Sequence, residues 1–129
     1  MSNVSTWATE LEDRTIRFSV NIIKTIGEYH KEPTIRPIID QVIRSSTSIG
    51  ANYAEANNAS SRSDFKNKIF IAKKEASETK YWLRLLSELL PPNTVSDLQQ
   101  EALELTLILQ KIISTLKNGS KPWKLKPDT

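Results

Sequence analysis

Ser45, Ser46 and Ser48 are clustered hydroxyls that could act as nucleophiles, His30 is the one imidazole, and Glu75 and Glu78 are carboxylates one helical turn apart. Each of these chemistries needs a companion. A serine becomes a nucleophile only when a base in reach takes its proton, and His30 sits apart from the serines, beside a break at Gly27–Pro33. A di-iron centre in a helical bundle takes Glu-x-x-His from two helices, and Glu75-x-x-Glu78 has no histidine partner. A bundle-type ribonuclease built on an Arg-to-His motif would need an Arg shortly before His30, where there is none. The chain has no Cys, hence no thiolate metal site and no disulfide framework. Gly27, Gly50 and Gly119 are isolated, so no glycine-rich loop is available to cradle a phosphate. The expectation is a protein without a catalytic, metal or cofactor site.

The cations are better placed. Lys66, Lys73 and Lys80 recur every seven residues with Lys74 and Arg84 close by, a basic ridge if this stretch is helical. Lys117, Lys121, Lys124 and Lys126 surround Trp123 near the C-terminus, an aromatic among cations that could stack on a base while they hold phosphates. The net charge is +3, and residues 117–129 alone hold four Lys against one Asp, so the rest of the chain is neutral. That neutrality is uneven: residues 62–84 hold seven basic and three acidic side chains, whereas 96–116 hold Asp97, Glu101 and Glu104 against Lys111. A basic and an acidic face are expected.

The elements that position these side chains follow from apolar spacing. Leu11, Thr15, Phe18, Ile22 and Tyr29 lie near one face of a first helix. Ile35, Ile39, Val42, Ser46, Ile49, Tyr53 and Ala56 alternate spacings of four and three, so a second helix passes unbroken through the small-residue stretch RSSTSIGANYAEA, with residues 35–57 as one helix. Phe65, Ile69, Ala72, Ala76, Thr79, Leu83, Leu86 and Leu90 define a third, with Ser61 or Ser63 as N-cap and Pro91-Pro92 as its stop. Ser96 to Gln99 reads as a capping box opening a fourth, which carries Leu98, Ala102, Leu105, Leu109, Ile112 and Leu116 and ends before Asn118-Gly119. The fold class is all-α, an antiparallel up-down-up-down four-helix bundle over residues 1–117 followed by a basic tail, 118–129. No apolar run approaches the ~20 residues that cross a bilayer, and the N-terminus MSNVSTWATELEDR lacks the basic-then-apolar order of a signal peptide, so a cytoplasmic protein with no membrane partner is expected.

Beside the core stripe of the second helix run Ser45, Ser48, Asn52 and Glu55, a polar ridge. Beside that of the third run Ile71, Glu75, Glu78, Trp82, Leu85 and Leu89, apolar except for two carboxylates. A tight hairpin near residue 60 would set Asn52 by Lys68, Ser45 by Glu75 and Ile38 by Trp82, making Ser45, Asn52, Glu55, Lys68, Glu75 and Glu78 the polar helix interface. Small side chains such as Ser46 and Ala56 would let a neighbouring helix approach closely. The first helix also carries Ile16, Val20 and Ile23, and the fourth Leu103, Leu107 and Ile113, more apolar surface than one bundle core hides. Self-association is the economical expectation.

The segments LEDRTIRFSVNIIKTI (11–26), QVIRSSTSIGANYAEA (41–56) and SRSDFKNKIFIAKKEASETKYWLRLL (61–86), in that order, resemble the bacterial four-helix-bundle proteins encoded by intervening sequences inside 23S rRNA genes. The resemblance covers roughly residues 10–90; the fourth helix and tail are similar only in character. It implies a closed antiparallel bundle assembling into a homopentamer with no known enzymatic activity. A more distant similarity, of fold and charge style alone, is to accessory pentamers of diversity-generating retroelements, whose basic surfaces bind nucleic acid and a reverse transcriptase. The functional expectation is a non-enzymatic homo-oligomeric scaffold binding RNA or DNA through basic surfaces. The alternative is a protein-binding adaptor that uses its exposed apolar helix flanks.

Overall fold

The structure is a computed structural model and describes residues 3–117, with side chains from residue 8 onward. Its elements are α1 (Asn3–Ile26), a 3-10 turn (Gly27–Lys31), α2 (Arg36–Asn57), α3 (Arg62–Leu89) and α4 (Ser96–Lys117), an all-α fold with no strand among the described residues. α2 packs on α1 and α3, α3 on α4, and α4 meets α1.

Local chemistry sets the boundaries. α1 gives way to the 3-10 turn at Gly27, so Tyr29 lies in the turn and not on the helix to which its spacing assigned it. Pro37 occupies the first turn of α2, where its missing N–H costs no hydrogen bond. Ser61 caps α3, its hydroxyl accepting from the Asp64 N–H at 3.0 Å. The Leu90 N–H still reaches the Leu86 carbonyl at 2.9 Å, and Pro91-Pro92 end the helix. Asn93 then takes a left-handed φ of 67°, tolerated by its short polar side chain. The capping box expected at Ser96 does not form. Val95 supplies the carbonyl for the Gln99 N–H at 2.9 Å, and the Ser96 hydroxyl donates to the Asn93 carbonyl instead.

The periodic apolar residues form the core: Phe18, Ile22, Ile39, Ile49, Phe65, Ile69, Leu83, Leu86 and Leu105 are almost wholly buried. α2 is continuous through the serine-rich stretch, for two reasons. Its hydroxyls bond backward to their own helix, Thr47 to the Ile43 carbonyl at 2.8 Å and Ser48 to the Arg44 carbonyl at 2.7 Å, without interrupting it. Its small residues also fit a close neighbour: a Cβ on Gly50 would lie 2.7 Å from Thr15 Oγ1 and 3.0 Å from Thr15 Cβ. At Gly50, α1 and α2 therefore approach too closely for a side chain to fit without displacing Thr15. Ser46 is fully buried in the same seam, its carbonyl accepting from Ser19. Tyr53 is buried near Asn57, and burial pushes its hydroxyl up to about 12, so it stays neutral.

Candidate nucleic-acid interface

α3 has two flanks beside its core stripe, and they differ in charge. On the flank facing α2, Lys68, Glu75 and Glu78 each have a partner of opposite charge. Arg44 reaches across to both carboxylates, touching Glu75 at 3.2 Å and forming a closer contact with Glu78. The Trp82 indole N–H donates to Glu78 Oε2 at 2.9 Å. Those two donors, Trp82 first and then Arg44, hold the Glu78 carboxyl below its usual range, and Glu78 in turn raises the Arg44 guanidinium. Lys68 pairs with Glu55 at 2.8 Å. Beneath them Ser45 and Thr79 share a fully buried hydroxyl contact of 2.7 Å. The Thr79 hydrogen goes to the Glu75 carbonyl at 2.8 Å, so Ser45 must be the donor.

This differs in register from the expected interface. Ser45 meets Thr79, one turn beyond Glu75; Asn52 donates to the Ser48 carbonyl on its own helix; and Lys68 is taken by Glu55. Paired positions still fall in number on α2 as they rise on α3, from Glu55 with Lys68 to Arg44 with Glu78. The shift follows from Arg44: a guanidinium long enough to reach around the small serine captures both carboxylates and leaves Ser45 to a hydroxyl. Arg44 was the residue missed, although it adjoins Ser45 in the sequence.

The flank facing α4 is the reverse. Arg62, Lys66, Lys73, Lys80 and Arg84 recur along it at helical spacing with Lys74 and Phe70 at its outer edge, and none of these cations pairs with a carboxylate among the described residues. Lys66 Nζ lies 5.9 Å and Lys117 Nζ 5.8 Å from the centre of the Phe70 ring, while Arg62 donates to the Leu116 carbonyl at the end of α4. The carboxylates of α4 point the other way. Arg14 on α1 holds Glu101 with two bonds, at 2.7 and 2.8 Å, and Glu104 at 2.8 Å. Glu101 raises the Arg14 guanidinium further, and Gln100 followed by Arg14 lowers Glu104. Glu101 and Glu104 of α4 are thus engaged by Arg14 of α1, and the basic flank of α3 faces a side of α4 that ends in Lys117. Lys121, Trp123, Lys124 and Lys126 lie outside the described residues.

Catalytic groups do not converge. His30 Nε2 is 2.7 Å from Asp40, the buried serines bond to carbonyls or to Thr79, and no group of three metal-ligating side chains occurs among the described residues. A surface depression between α1 and α4 is lined by Glu10, Leu11, Arg14, Arg17 and Ile108, with Arg14 already engaged.

Residues 9–111 match the family model described as 23S rRNA-intervening sequence protein. The chain belongs to that family. A solved structure from Bacteroides thetaiotaomicron VPI-5482, a protein with unknown function from the S23 ribosomal protein family, is 39% identical over 81% of this chain and 98% of its own, with a TM-score of 0.74. Curated proteins yield no match. Family membership covers α4 up to Lys111 as well as the three segments that carried the resemblance. No helix among the described residues is long and apolar enough to cross a membrane.

Proposed function

We propose that this member of the family is a non-enzymatic, cytoplasmic, homo-oligomeric scaffold, an antiparallel up-down-up-down bundle that binds RNA or DNA through the α4-facing flank of α3 and the basic segment beyond Lys117. The observation that carries the reading is the unpaired charge of that flank. Charges on a folded surface are ordinarily interspersed with opposite ones, as they are on the other flank of α3. A row of cations that no carboxylate among the described residues pairs with is what phosphate neutralisation uses, because each contact releases counterions and the contributions accumulate along the row. Assembly multiplies them: each copy adds its own net +3 and its own tail to one particle.

Assembly is supported by apolar side chains left in water. Ile16 is 54% exposed, Val20 41%, Ile23 47% and Leu107 59%, with Leu103 beside Leu107 one turn away. Ile113, counted among the outer apolar residues from its spacing, is buried and belongs to the core. The surfaces of α1 and α4, together with the exposed Leu89 of α3, are the proposed contacts between copies, with a pentamer as the state the resemblance implies. The test is retention of labelled RNA and DNA by full-length protein at low salt with its size measured in parallel by light scattering. Salt-sensitive binding by an oligomer supports the reading. A monomer at micromolar concentration removes the assembly, and salt-insensitive capture of a polypeptide without nucleic-acid binding favours the adaptor.

A further inference from the structure

Phe70 stands out on the basic flank. It is a large aromatic side chain 40% exposed, four residues from Lys66 and outside every core stripe. Two ammonium groups on different helices converge on its ring, Lys66 from α3 and Lys117 from α4. Neither lysine has a carboxylate partner among the described residues, so nothing stronger holds them there. Arg62 fixes the end of α4 beside this point by its bond to the Leu116 carbonyl, which keeps Lys117 at hand.

We infer that Phe70, Lys66 and Lys117 form a binding site for one unpaired nucleobase with its adjoining phosphates. This rests on the nucleic-acid reading and adds to it a preference for single strands. An ammonium over an exposed ring gains less than a base stacked on the same ring. An ammonium that moves from the ring to a phosphate exchanges a weak contact for a charge-assisted hydrogen bond. An arriving strand therefore improves both interactions at once: the base takes the ring and the phosphates on either side take the two lysines. A duplex offers the phosphates but no free base face, so it engages only the lysines. The arrangement is indifferent to sequence, because every base has a face to stack.

The experiment compares full-length wild type, Phe70→Leu and Phe70→Trp for binding to a labelled oligothymidylate, an oligouridylate and a DNA duplex of equal length across a salt series. Leucine keeps an apolar side chain at an exposed position and removes the ring. The expected result is a loss of about tenfold or more in affinity for both single strands with Phe70→Leu, unchanged duplex affinity and an unchanged salt slope, and full single-strand affinity with Phe70→Trp. Unchanged single-strand binding by Phe70→Leu, or equal losses for single strand and duplex, overturns the stacking site while leaving the charged flank in place. Wild type that binds none of the probes at low salt overturns the nucleic-acid reading itself, a different failure. Matching thermal midpoints for the three proteins tie the outcome to the ring.

Discussion

The two flanks of α3 carry similar side chains to opposite ends. On the α2 side Lys68 is engaged by Glu55, and Glu75 and Glu78 by Arg44, so that charge serves to fix one helix against another. On the α4 side Lys66, Lys73, Lys80 and Arg84 pair with no carboxylate among the described residues, and an exposed phenylalanine sits among them. The difference originates two helices away. Arg14 of α1 draws Glu101 and Glu104 of α4 to the far side, so the helix that could have neutralised α3 does not. A basic ridge in a sequence is thus a binding surface or a structural seam depending on where its neighbours direct their acids.

Charge reversal separates the flanks most sharply. Replacing Lys66, Lys73 and Lys80 together by Glu should lower affinity for RNA or DNA by about a hundredfold or more at low salt and reduce the salt slope by about 3, with little change in thermal midpoint. A marked loss of stability with no change in binding, measured by anisotropy and melting curves, would assign this flank to structure as well.

Substitutions inside the seams should act on stability alone. Thr79→Val removes the acceptor of the buried Ser45 hydroxyl, whose other neighbour, the Val42 carbonyl, lies at 3.4 Å. Urea denaturation should show a cost of about 1–3 kcal/mol, part of which Ser45→Ala in the same chain restores, since removing both partners leaves nothing unsatisfied.

Gly50→Ala in the α1–α2 seam sets two effects against each other. Alanine gains about 1 kcal/mol in helix propensity, and overpacking against Thr15 costs about 1–3 kcal/mol. The contact falls on Thr15 Cβ as well as its hydroxyl, so rotating the side chain does not relieve it and a net loss is expected. Thr15→Ala removes the Oγ1 contact and keeps Cβ, so in the same chain it should recover only part of that loss. A Gly50→Ala variant more stable than wild type would show the helices free to separate.

The smallest effect belongs to Arg44→Ala. Arg44 and Glu78 are partly exposed, so solvent screening limits their pairing to about 0.5–1 kcal/mol. Its sign with pH is fixed. The Glu78 carboxyl titrates lower in the folded chain than in the unfolded one, so its contribution is complete above the ordinary carboxylate range and disappears as pH falls through its folded value. Wild type and Arg44→Ala should therefore differ in thermal midpoint near neutrality and converge in acid. A constant difference would mean that Arg44 acts through packing and not through charge.

The sequence by itself determined the four helices, the faces they bury and the continuity of α2, because periodic burial of apolar side chains is a property of each helix alone and leaves its mark at fixed spacing. It also determined that the charge is uneven and that α3 carries most of its basic side. What it could not determine was which charges find each other. That depends on register and rotation between helices, where a shift of one turn changes every partner: Ser45 meets Thr79 in place of Glu75, and Arg44, silent in the pattern, takes both acids. The packing also exchanged roles at single positions, drawing Ile113 into the core and leaving Phe70, unremarkable in the sequence, exposed between two cations from separate helices. Such juxtapositions have no signature along one strand of sequence, since they are made only when α4 docks and brings Lys117 to α3.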